Sequence, residues 1–173
     1  MPVPSHSYSV PVFVSGLQTL SYLLTKAADY ASKNNIPPSN LAGACLPPDK
    51  KALSHQIRGA ARVAKNSVAY LTDAEIPDIE GPVDTLDDLQ AHIAEAIVIL
   101  ERAGGPNAFG KDDTSELMFS WEQTQQTTTV HKYVTGFALP DFFFHLGNVY
   151  TILKTQGVPL SKTDYLHNFI AGP

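Results

Sequence analysis

Four stretches of this chain repeat apolar residues at three- and four-residue steps, and three of the four stop at proline or glycine. That period gathers the apolar positions on one side of an α-helix. The first stretch runs from about Tyr8 to Asn34, with Val10, Val14, Leu17, Leu24 and Ala28 in phase. It ends at Asn34-Asn35-Ile36-Pro37-Pro38, because a residue before proline is pushed out of helical torsions. The second runs from about Pro48 to Leu71 on a stripe of Leu53, Ile57, Ala60, Ala64, Val68 and Leu71, and its many alanines suit close helix approach. The third, from about Leu86 to Arg102, has Thr85 as an N-cap and Asp87 and Asp88 in its first turn, both favourable there. Leu86, Leu89, Ile93, Ile97 and Leu100 form its apolar face, and Gly104-Gly105-Pro106 ends it. The fourth runs from about Lys132 to Gln156 and closes at Gly157-Val158-Pro159. Pro140 lies inside it and either kinks the helix or marks its true start.

Between the third and fourth stretches the period changes. Glu116-Leu117-Met118-Phe119-Ser120-Trp121 alternates, Glu122 to Gln126 can turn, and Thr127-Thr128-Thr129-Val130 is β-branched. A hairpin over Glu116 to Val130 is expected. The tail from Leu160 to Pro173 is expected as a packed extension without a fifth long helix. With 173 residues, one domain spanning 1–173 can bury roughly 70% of its unfolded surface. The expected architecture is all-α, an up-down four-helix bundle with a short β-hairpin before the last long helix.

Charge narrows the range of partners. Twelve Lys+Arg against seventeen Asp+Glu give a net charge of −5, which removes the electrostatic basis for duplex nucleic-acid binding. No apolar run of about 18 residues is present to span a membrane. The first eight residues show no leader pattern, and one cysteine fits a reducing, cytoplasmic setting. That residue, Cys45, has no neighbouring base or lysine to lower its pKa and is a poor nucleophile candidate. No Gly-x-Ser-x-Gly elbow or phosphate-cradling loop occurs.

The fourth stretch carries the chemistry. Its apolar stripe is Val134, Ala138, Val149 and Ile152, and Asp141, His145 and Asn148 share that stripe at steps of four and three. Polar groups on a buried face need partners. Asp141 and His145, four apart, suit two ligands of one metal ion or a carboxylate that orients a histidine; a self-satisfied buried pair is the plainer alternative. A third ligand must come from elsewhere. His55 is the candidate from the second stretch although it lies off the apolar stripe, with Gln56 at the stripe's edge, and His131 is the substitute. His92 is expected at the surface. Phe137, Phe142, Phe143, Phe144 and Tyr150 surround the pair with aromatic surface that can line a pocket for a flat ligand.

Phe137-Ala138-Leu139-Pro140-Asp141-Phe142-Phe143-Phe144-His145, followed by Tyr150 to Val158, resembles the fourth-helix signature of an uncharacterised branch of the DinB/YfiT-like metalloenzyme superfamily. Val10-Pro11-Val12-Phe13 with Gly16-Leu17, and Leu53-Ser54-His55-Gln56-Ile57, resemble that family's first and second helices. The resemblance spans about Tyr8 to Asp164. It implies a four-helix bundle whose metal, when present, is held by three histidines, one from the second helix and two from the fourth. It also implies a small-molecule ligand, in some members through thiol-dependent transfer or isomerisation, and homodimers.

Carried over by position, His145 matches the second fourth-helix ligand. Asp141 stands where the pattern has histidine, and His55 matches the second-helix ligand. Such a set suits zinc, nickel, iron or manganese. Two expectations follow: a divalent metal held by His55, Asp141 and His145, or a metal-free pocket in which Asp141 and His145 do acid–base chemistry. In either, Phe137, Phe144, Asn148 and His131 would bind the small molecule. The third possibility is a structural dimer without catalysis.

Overall fold

The computed structural model describes residues 5–48 and 51–171. Residues 1–4 of the eight expected to lack a leader pattern, and the last two of the tail, lie outside that description. The elements in chain order are α1 (Val10–Lys33), α2 (Pro38–Ala42), α3 (Leu53–Thr72), α4 (Leu86–Ala103), β1 (Glu116–Trp121), β2 (Thr124–Thr129), α5 (Val130–Tyr133), α6 (Leu139–Thr155) and α7 (Lys162–Ala171). A π-helical turn, Val134–Ala138, joins α5 to α6. The four long helices form the bundle: α3 packs on α4 and α6, and α1 packs on α4 and α6. No described helix is long and apolar enough to cross a membrane.

The core follows the expected stripes. Leu53, Ile57, Ala60, Ala64, Val68 and Leu71 of α3 are buried, as are Leu86, Leu89, Ile93 and Leu100 of α4. In α1 the stripe passes through Ala27, which is fully buried, while Ala28 is exposed. α1 and α6 meet closely at Gly16, where a Cβ would lie 2.2 Å from the Phe142 ring. Thr85 caps α4 in a capping box with Asp88.

The hairpin is present, in the register Glu116↔Thr129 to Trp121↔Thr124; Thr124 to Gln126, expected in the turn, pair as strand, and Val130, expected in the hairpin, starts α5. Its two-residue turn places Glu122 and Gln123 at φ 46° and 65°, the left-handed pair a type I′ connection needs. Leu117 and Phe119 face the core. Tyr70 Oη accepts from the Ser120 N–H at 3.2 Å, which holds β1 beside α3.

Two expectations are corrected here. The tail coils into α7, because Ser161 and Asp164 cap each other: the Ser161 N–H donates to Asp164 Oδ2 at 2.7 Å and the Asp164 N–H to Ser161 Oγ at 3.3 Å. Asp164 also accepts from Lys26 and Tyr22 of α1. His92 is buried, 7% exposed. The segment between α3 and α4 folds back over it, tied by a Lys65–Asp78 ion pair.

Candidate functional site

Pro140 has no N–H to donate, and the chain absorbs this just upstream. The Leu139 N–H donates to Val134 O, five residues back, so the preceding turn is one residue wider than an α-turn. One extra residue turns the later side chains by about 100° relative to an unbroken helix. The buried stripe therefore runs Val134, Ala138, Phe142, Leu146, Val149, Ile152. Asp141 and Asn148 move to the flank and are half-buried, while His145 stays 7% exposed. The expectation that all three share the innermost stripe holds for His145 alone.

His145 sits against α3 because Gly59 leaves room for it. A Cβ at position 59 would lie 2.4 Å from His145 Cε1 and 2.6 Å from Nε2. The ring is held edgewise by Gln56, whose Oε1 is 2.8 Å from His145 Nδ1. The same oxygen accepts from Asn148 Nδ2 at 3.4 Å, so Gln56 presents its carbonyl and His145 Nδ1–H donates to it. Burial pushes the imidazole below its ordinary pKa; Asp141 opposes this, and Arg62 and His55 add to it. A neutral ring protonated at Nδ1 carries its lone pair on Nε2. Nε2 faces Asp141 Oδ1 at 3.7 Å, beyond a hydrogen bond.

These atoms open into a cleft of about 370 Å3. Tyr70 and Arg62 of α3, Trp121 of the hairpin, and Tyr133 and Phe137 line it with Asp141 and His145. Phe137 packs tilted against Phe119 and edge-on to Trp121, with ring centroids 4.7 Å and 5.9 Å apart. The Tyr133 hydroxyl meets Ser67 Oγ at 3.0 Å, and burial pushes its pKa well up.

Several nominated residues are placed elsewhere. His131 is exposed and packs edge-on to Tyr8, 5.8 Å between centroids, outside the cleft. Phe144 is 59% exposed, since the wide turn rotates it outward. His55 is exposed on α3, its ring centroid 6.5 Å from that of His145. Gln56, one residue and about 100° further round the helix, is the residue that reaches His145. Among the described residues no group of three or more His, Cys, Asp and Glu side chains is gathered as a metal ion requires. In this arrangement His55, Asp141 and His145 do not fit a shared ion. Gln56 was legible as a stripe-edge residue; Arg62, Trp121 and Tyr133 were not singled out, since only the hairpin's placement joins them.

The family model described as a domain of unknown function, DUF1993, matches residues 6–166. The crystal structure of a DinB family member protein from Shewanella denitrificans is similar at 26% identity and a TM-score of 0.80, over 93% of this chain and 90% of that one. No curated protein matches.

Proposed function

The chain belongs to the DUF1993 family, and from that premise we propose that its cleft binds a small, flat molecule bearing a polar hydrogen and moves a proton on it. The observation that carries this reading is the gap between His145 Nε2 and Asp141 Oδ1. Two acceptor atoms 3.7 Å apart leave a place where one O–H, N–H or acidified C–H donor can lie near both, at about 2.8 Å for a hydroxyl. His145 Nε2 is the base. Gln56 fixes the tautomer through Nδ1, as a carboxylate or carbonyl does for a catalytic histidine. Asp141 stabilises the imidazolium that forms, and Arg62, on the same wall, faces the anion left on the substrate.

Tyr70, Trp121, Tyr133 and Phe137 supply flat aromatic faces, set among the polar side chains of Asn66, Ser120 and Glu122. The cleft volume lies at the small end of the ~300–1,000 Å3 that small-molecule sites span. Proton transfer of this kind serves isomerisation or cyclisation.

A titration with 4-nitrophenol, a flat aromatic with an acidic hydroxyl, tests the reading by nuclear magnetic resonance. Wild type and Phe144→Ala should bind alike, with saturating shifts in β1 and α6. His145→Ala should weaken binding about tenfold, the loss of one hydrogen bond at about 1.4 kcal/mol. Equal binding by His145→Ala, or no saturation, overturns it. Elemental analysis belongs beside the titration: stoichiometric metal in wild type that His145→Ala loses would replace proton transfer with metal chemistry.

A further inference from the structure

A second cavity, about 390 Å3, lies between α3, the segment leading to α4, and α4 itself. Its wall on α3 is a cationic stripe. His55, Arg58, Arg62 and Lys65 recur at steps of three, four and three, and all four line it. Arg58 and Arg62 are exposed, and among the described residues their guanidinium groups make no hydrogen bond or ion pair. Like charges four apart on a helix are unfavourable by themselves, so the stripe is not explained by helix stability.

The inner end of the cavity is polar and buried. Lys65 is 5% exposed and paired with Asp78. His92 of α4 is 7% exposed, and among the described residues its Nδ1 has no hydrogen-bond partner. Buried ring nitrogens are normally satisfied. Burial, and then the charge of Arg58, hold the imidazole below its ordinary range, with Glu95 opposing. The acidic groups lining the cavity are Asp78, engaged by Lys65, and Glu80.

We propose that this groove binds a compact multivalent anion of the phosphate or polycarboxylate class, gripped by Arg58 and Arg62 at its mouth and met by Lys65 and His92 at its inner end. Guanidinium forks match the oxygens of both groups in bidentate fashion. The site stands apart from the proton-transfer reading of the His145 cleft and does not depend on it. Arg62 lines both cavities, so an anion held here neutralises a charge that His145 also senses.

Calorimetric titration of the full chain with pyrophosphate, and separately with citrate, tests the proposal. One-to-one saturable binding of at least one is expected, and the tighter of the two names the class. Arg58→Gln should weaken it about tenfold. Glu80→Gln, which removes the opposing carboxylate from an exposed position, should tighten it about threefold. Arg102→Gln, an exposed cation in the last turn of α4, should leave it unchanged. Failure to saturate with either anion, equal weakening by Arg58→Gln and Arg102→Gln, or weakening by Glu80→Gln overturns the site.

Discussion

Replacing Gly59 with alanine puts a methyl group where the His145 ring now lies, 2.4 Å from Cε1, 2.6 Å from Nε2 and 2.7 Å from Nδ1. Neither helix can yield easily, because Ala60, Ala61 and Leu146 around the contact are fully buried. The ring must swing off Gln56. Overpacking of this kind costs roughly 1–3 kcal/mol, and the lost hydrogen bond adds about 1 kcal/mol. Against that, alanine is about 1 kcal/mol better than glycine inside a helix. The net is a loss of about 1–3 kcal/mol, or a fall in Tm of roughly 2–12 °C for a chain of this size. The same change made in a His145→Ala background meets no ring and should stabilise by about 1 kcal/mol. Urea denaturation of the four proteins in the cycle measures both effects. A Gly59→Ala protein as stable as its His145→Ala counterpart predicts, or any gain in the wild-type background, refutes the contact.

Acid should weaken the fold through His145. Its pKa in the folded state lies below the unfolded value near 6.5, so the unfolded chain binds more protons in that window. Stability is then complete above about pH 6.5 and falls as pH drops through the folded value; denaturation midpoints of wild type and His145→Gln from neutral to acid pH should converge as pH falls. Parallel loss in both proteins would assign the dependence elsewhere, His92 being the other histidine held low. Asp164→Ala removes the acceptor of Lys26, Tyr22 and the Ser161 N–H and should free α7 while leaving the bundle folded. Limited proteolysis should then trim the chain near Ser161, and an unchanged cleavage pattern would show that α7 docks through Phe169 and Tyr165 instead. Gly16→Ala should destabilise, where an ordinary helical Gly→Ala change stabilises by about 1 kcal/mol, since its Cβ meets Phe142 at 2.2 Å; a rise in midpoint would contradict that packing.

The periodic stretches carried the bundle because burial there depends only on spacing: each stripe residue named in α3 is buried, and so are most of those in α4. The hairpin was legible in its alternation, although its turn lacks glycine and asparagine. α7 had a visible signal in Ser161 and Asp164, a capping pair three residues apart. The phase of α6 was not legible, because nothing in Val134 to Ala138 announces a π turn; only Pro140 hinted that the ladder must adjust. That one wide turn moved Phe144 outward and brought Phe142 onto the stripe. His145 was found from its apolar surroundings. Its partner on α3 is Gln56 and not His55, because Gln56 lies at the edge of the buried stripe that faces α6 and His55 lies off it. Gly59, which makes room for the ring, carries no side chain to notice.

The proposed proton transfer requires His145 to be a neutral base, protonated at Nδ1 and bare at Nε2. Long-range proton–nitrogen correlation spectra of protein labelled with nitrogen-15 at histidine, assigned by comparison with His145→Gln, read this directly. At neutral pH a proton on Nδ1, a lone-pair chemical shift for Nε2, and loss of that preference in Gln56→Leu are expected. A proton on Nε2, or an imidazolium carrying both, would contradict it.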